Sequence, residues 1–306
     1  MSEQFFYEYF HDWIKLYKEG AVRNLTLQKY LTATKWLTQF APNIRLCDLN
    51  RQTYQQLLND YAMGHEKQTV VNFHHQLKGA ILDAIDDGLI SNNPTRKIVI
   101  KGRASNAKKV KFLNHSELKS LLNELELHGE LNWDWFILIA AKTGLRFSEI
   151  LGLTPEDFEF ENHFITVNKT WNYKDKKGGF QSTKNASSNR KIQIDIEFSK
   201  QLKKLVTKCE PGKSIFVKDD TRVFNSTLND HLKRLCNHVE IPIITIHSLR
   251  HTHASLLIFA GVSIASVSRR LGHATVTTTQ ETYLHIIKEL EMIDGEKITK
   301  LLTELI

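Results

Sequence analysis

Between Arg96 and Lys111 the chain places seven basic residues, Arg96, Lys97, Lys101, Arg103, Lys108, Lys109 and Lys111, with no acidic residue among them. The hydrophobic pattern differs on the two sides of this stretch. Before it, apolar positions recur with a helical period; after it, helical and two-residue periods alternate. A single continuous repeat is therefore excluded, and a chain of 306 residues is long enough for two separate cores. With 41% hydrophobic and 25% charged residues, both halves have the composition of soluble globular domains.

Phe5, Phe6, Tyr9, Phe10, Trp13, Ile14 and Tyr17 predict a first helix. Thr26 reads as the N-cap of a second, which continues through Trp36, Leu37 and Phe40 and stops before Pro42. A third is expected from about Asn50 to Tyr61 and a fourth from about Lys67 to Asp87, with Asn93-Pro94 ending the helical pattern. The aromatic stripe of this bundle is core packing. The expected organisation is a helical bundle over 1–95, a basic linker over 96–111 and a second domain over 112–306.

In the second domain Asn114 or Ser116 caps a helix carrying Leu118, Leu121, Leu122 and Leu125. Trp133 to Thr143 is apolar on most faces, hence buried, and Gly144 breaks it before a short turn from Arg146 to Leu151. Phe164–Val167 and Lys191–Ile194 read as strands, with a middle strand around Gly179 to Thr183. Helices resume at about Ser199, Asn225, Thr252 and Ser263. The tail (Ile298, Leu301, Leu302, Leu305, Ile306) is apolar at helical spacing. The fold class is mainly α with a small antiparallel β-sheet.

The net charge of +7 suits a polyanionic partner. Cys47, Cys209 and Cys236 are far apart and form no CxxC pair, which points to buried thiols in a reducing compartment. The first residues lack the basic and apolar regions of a secretory leader, and the apolar run Trp135 to Ala141 is too short to span a bilayer. A cytoplasmic, nucleoid-associated protein is expected.

The remaining signal is chemical. Arginine stays ionised and its planar fork donates two hydrogen bonds to a phosphate. Arg146 follows the Gly144 turn in Thr143-Gly144-Leu145-Arg146-Phe147-Ser148-Glu149, and Arg250 lies three residues after His247 in His247-Ser248-Leu249-Arg250-His251. That spacing puts both on one helical face. His247 suits proton acceptance or a hydrogen bond to phosphate. A metal site from His247, His251 and His253 is the rival reading. It is disfavoured because Ser248 stands where a zinc hydrolase needs glutamate and Arg250 repels a dication. His253 reads as a satisfied core histidine.

These boxes, with Ser182-Thr183-Lys184-Asn185, Leu271-Gly272-His273 and Glu281-Thr282-Tyr283, resemble in order and spacing the tyrosine recombinase (phage integrase) family. Leu249-Arg250-His251-Thr252-His253-Ala254-Ser255 is similar to integrases of phages and integrative elements, many of which carry a small arm-site domain before the bundle; this sequence starts at the bundle. The resemblance implies a C-shaped DNA clamp made of a core-binding (SAM-like) bundle and an α+β catalytic domain. It makes Arg146, Lys184, His247, Arg250, His273 and Tyr283 the catalytic set. Tyr283 is the nucleophile, ten positions after His273; Lys184, in the loop between the second and third strands, is the acid, with Lys174, Lys176 and Lys177 as nearby alternatives; Glu149 braces the site. Lys101, Arg103, Lys108, Lys109 and Lys111 are expected to follow a DNA backbone.

The implied reaction proceeds through a 3′-phosphotyrosyl bond and a Holliday junction within a homotetramer, without metal or cofactor. Its substrates are double-stranded attachment sites, with room for an accessory DNA-bending or excision factor. The apolar tail docks on its own domain or a neighbour's. A type IB topoisomerase and a non-catalytic DNA-binding module are the alternatives. Plasmid relaxation without an attachment site and suicide-substrate trapping discriminate them.

Overall fold

The computed structural model describes residues 3–104, 112–218, 221–284, 286 and 302–303. The chain forms two compact units, one up to Lys108 and one from Lys109. The first contains α1 (Phe6–Tyr17), α2 (Asn24–Phe40), α3 (Arg51–Gly64) and α4 (Lys67–Asp86). Phe6, Phe10, Leu37, Tyr54, Leu57, Leu77 and Ile81 fill its core. Each such buried side chain contributes about 1.5–3 kcal/mol. Asn50 caps α3, accepting from the amides of Gln52 and Thr53. Thr26 is not a cap. Its amide already bonds the Arg23 carbonyl at 2.8 Å, so it lies inside the first turn of α2.

The start of the expected linker belongs to this unit. Gln55 exchanges two hydrogen bonds with the backbone of Val99, both 2.8 Å, and the Arg103 amide bonds the His65 carbonyl at 2.9 Å. The apolar Ile98 and Ile100 pack on the core and hold this part of the basic stretch in place.

The second unit begins with α5 (His115–Asn123), capped by Asn114, whose side chain accepts from Glu117. Next come α6 (Trp133–Thr143), α7 (Phe147–Leu151), five short strands, α8 (Ile196–Val206), α9 (Asn225–His238), α10 (Ile246–Phe259) and α11 (Ile264–Leu271). The strands form two sheets rather than the single sheet expected. One is antiparallel β1 (Phe158–Glu159), β2 (Phe164–Val167) and β5 (Arg190–Gln193); the other pairs β3 (Lys169–Trp171) with β4 (Phe180–Ser182). The middle strand therefore has its own partner, and Lys184 lies between β4 and β5. Only Asn168 separates β2 from β3, so the periodic pattern gave no boundary there.

α6 is buried along nearly its whole length and α10 packs along it, with Ile150, Ile165, Ile192, Phe198, Leu228 and Leu249 around them. α10 starts at Ile246, six residues before the expected Thr252. Its cap is Thr245, which accepts from the Ser248 amide. The serine at the third position hid this box, where glutamate is the usual signal. A smaller apolar cluster joins Ala254, Ile258, Val267, Leu271, Tyr283 and Ile286. No described helix is long and apolar enough to cross a membrane. The expected tail helix lies almost entirely outside the described residues.

Candidate active site

The site is built where two helices end. α6 and α11 both stop at a glycine in the left-handed region, Gly144 with φ +67° and Gly272 with φ +68°. A Cβ at Gly144 would sit 2.8 Å from His253 Cδ2, and one at Gly272 would sit 2.9 Å from Arg190 Nη1, so glycine is required for space as well as conformation. The last carbonyls of a helix lack intrahelical partners and carry the negative end of its dipole. Here arginines take them. Arg250 Nη1 donates to the Gly144 carbonyl at 2.8 Å and its Nη2 to Leu271 at 2.7 Å. Arg146 Nη2 donates to Gly272 at 3.2 Å, and Arg190 Nε to Arg270 at 2.6 Å.

Arg146 and Arg190 share Glu149, which is 2% exposed. One carboxylate oxygen accepts from Arg146 Nη1 at 2.6 Å and from Arg190 Nη1 at 3.2 Å; the other accepts from Arg190 Nη2 at 3.0 Å. That second oxygen also caps α7 by accepting the Arg146 amide at 2.9 Å. Burial pushes the carboxyl upward, but the charges and hydrogen bonds of Arg190 and Arg146 outweigh it and hold Glu149 below the usual range. The hydrogen bonds described for Glu149 go to Arg146 and Arg190, not to Lys184.

Arg250 is 3% exposed. Burial, then Arg146, lowers its pKa to about 9, which leaves it charged at neutral pH. His247 is exposed at one turn's distance, and desolvation of its ring followed by Arg250 and Arg146 lowers its pKa. His273 is lowered to about 4 by burial and then by Arg250, Arg146 and Arg190, and it bonds Thr279 Oγ1 at 2.7 Å. Neutral imidazoles thus surround guanidiniums of fixed charge, an arrangement suited to an anion with several oxygens.

Tyr283 lies in the helical stretch 276–284 and is 2% exposed. Its hydroxyl is 3.0 Å from Nδ1 of His251. Burial raises the phenol to about 12, and Arg250 acts in the opposite direction, which places the hydroxyl within electrostatic reach of that guanidinium. Arg146, His247, Arg250, His273 and Tyr283 therefore converge. Lys184 is exposed in its loop, and no described hydrogen bond or ion pair joins it to the others. The loop is braced at its base: Thr183 Oγ1 donates to Asn189 at 2.8 Å, and Arg190 Nη1 donates to the Ser188 carbonyl at 2.8 Å.

Of the basic stretch, Lys101 and Arg103 are exposed, and Arg103 Nε donates to the Met63 carbonyl at 2.9 Å. Lys108, Lys109 and Lys111 lie outside the described residues. His253 is buried and satisfied: Arg270 Nε donates to its Nε2 at 2.8 Å, so Nδ1 carries the proton and donates to the Ala141 carbonyl at 2.9 Å. Burial, then Arg270, lowers it to about 4. Among the described residues no group of three or more His, Cys, Asp or Glu side chains is placed to hold a metal ion.

Sequence reasoning missed Arg190, which closes the carboxylate bridge, and His251, which meets the phenol. His251 stands four residues after His247, on the same helical face, and that spacing was the available signal. Arg190 lies 41 residues from Glu149, and nothing local marked it.

The sequence profile of the phage integrase family matches residues 111–289. The chain is 26% identical over 316 residues to the integrase of Staphylococcus phage L54a, spanning 94% of this chain and 84% of that protein. It is also 26% identical over 244 residues to the ICEBs1 integrase of Bacillus subtilis (strain 168). That alignment covers 76% of this chain and 66% of the relative, just under two thirds of its length. Among solved structures, the Tn1549 transposon integrase in complex with transposon right end DNA matches with a TM-score of 0.80 at 21% identity, over 97% of this chain and 100% of that one. This last likeness is one of fold.

Proposed function

The chain belongs to the phage integrase family, and from that premise we propose that it is a site-specific recombinase that cuts and rejoins duplex DNA through Tyr283. One observation supports the assignment to these side chains: Arg146, the α10 pair His247 and Arg250, His273 and Tyr283, far apart in the sequence, converge around the ends of α6 and α11. Arg146 and Arg250 bind the nonbridging oxygens of the scissile phosphate, with His247 and His273 donating further hydrogen bonds. Tyr283 Oη attacks phosphorus, forming a 3′-phosphotyrosyl bond, and Lys184 protonates the departing 5′ oxygen. The 5′ hydroxyl of a second strand then attacks the tyrosyl phosphate. Two such exchanges in a tetramer pass through a Holliday junction.

The substrate is the attachment DNA of a mobile element, which the L54a and ICEBs1 relatives and the DNA-bound Tn1549 integrase support. The exposed Lys101 and the neighbouring basic residues contact its backbone. The test is trapping on a nicked suicide duplex built on the sequence that the protein itself selects from a random pool. Wild type is expected to yield a covalent adduct. Tyr283→Phe yields none while its gel-shift affinity stays unchanged. An undiminished adduct in the variant removes Tyr283 from the reaction, and relaxation of plasmids lacking the selected sequence favours a topoisomerase instead.

A further inference from the structure

A buried phenol is a weak nucleophile. With its pKa near 12, only about one Tyr283 in 10⁵ is ionised at neutral pH, so a group touching the hydroxyl must take the proton as the new bond forms. Arg250 is near but is a permanent donor, and two of its N–H groups are spent on the Gly144 and Leu271 carbonyls. The atom that meets the hydroxyl is Nδ1 of His251, at 3.0 Å. With the His251 ring protonated at Nε2, Nδ1 accepts from the phenol hydroxyl, the arrangement in which it can take the proton. His251 is fixed by α10, and its ring meets that of His247 edge to face, with centroids 4.9 Å apart and an interplanar angle of 89°. The Tyr283 ring is buried in an apolar cluster with Ala254, Ile258, Val267 and Leu271.

We propose that His251, rather than His247, is the general base for Tyr283. The proposal rests on the recombinase reading above and deepens it. In the step, the Oη–H bond breaks and its proton goes to His251 Nδ1 while the Oη–P bond forms. The P–O5′ bond breaks, and the 5′ oxygen takes a proton from the Lys184 ammonium. One imidazole becomes an imidazolium and one ammonium an amine, so net charge is conserved, and rejoining runs both transfers backwards. The new imidazolium lies among Arg250, His247 and His273, and the scissile phosphate offsets that concentration of positive charge.

The experiment is single-turnover adduct formation on the same selected duplex, as the ordinary phosphodiester and with sulfur in place of the 5′ bridging oxygen at the mapped cleavage position. A thiolate leaves without an acid, so the sulfur substrate separates the two proton transfers. His251→Gln keeps an acceptor for the phenol but cannot take its proton. It is expected to slow the reaction about 10²- to 10⁴-fold on both substrates, with DNA affinity unchanged. Its rate should climb about tenfold per pH unit because hydroxide must then make the phenolate. Lys184→Ala, by contrast, should be restored by sulfur. His251→Gln reacting at the wild-type rate, or being restored by sulfur, overturns the proposal and leaves the recombinase reading intact. Absence of any adduct with wild type overturns both.

Discussion

Glu149 is a single carboxylate fixed between two guanidiniums in a place water does not reach. Removing one member of a buried pair leaves uncompensated charge, so Glu149→Gln is expected to destabilise the chain by about 3–5 kcal/mol at neutral pH in urea unfolding. The pH dependence has a definite sign. Arg190 and Arg146 overcome burial and hold the folded carboxyl below its ordinary 4.5, so its contribution is complete above that value and is lost as pH falls through the lower folded value. The gap between wild type and variant should therefore narrow only in acid. A constant gap would mean that the carboxylate's charge is not what matters. At this scale the sequence displayed the tools but not the pairings. Arg146, His247 and Arg250 sit in short strings whose spacing carries meaning. Arg190 and His251 gain their roles from partners 41 and 32 residues away, brought to them only by the folded chain.

α6 and α10 show how elements hold those tools. The ends of α6 were legible, from the Trp133 where its apolar run begins to the Gly144 that stops it, because an apolar face and a left-handed stop are local properties. β3 was not legible, since three residues follow β2 after a single intervening position. The stop at Gly144 is also an anchor point for Arg250. Gly144→Ala is expected to cost about 1–2 kcal/mol for the left-handed backbone alone, before the contact its Cβ would make with His253. Because the Gly144 carbonyl positions Arg250, adduct formation should fall further than DNA affinity does. Equal losses in the two assays would indicate simple unfolding.

For the whole molecule, the division into two units follows from two hydrophobic cores, each visible in the sequence as its own run of periodic apolar positions. The basic stretch between them has the composition of a linker throughout, yet Ile98, Ile100 and the Gln55–Val99 pair of hydrogen bonds fasten its first part to the bundle. Its charge still counts. With a net charge of +7, affinity for duplex DNA should fall steeply with added salt. Lys101→Ala should reduce the slope of log affinity against log salt by about 1, measured by fluorescence anisotropy on the selected duplex, with sequence preference unchanged. An unaltered slope would remove Lys101 from the phosphate track.

Three guanidiniums hang from main-chain oxygens at helix termini, at positions 144 and 270–272. Those oxygens exist whatever side chain is attached beside them. These charges are thus surveyed from where two rods end, and mutational drift in the surrounding lining can proceed without moving them, provided the two endpoints keep their length and their terminal glycines.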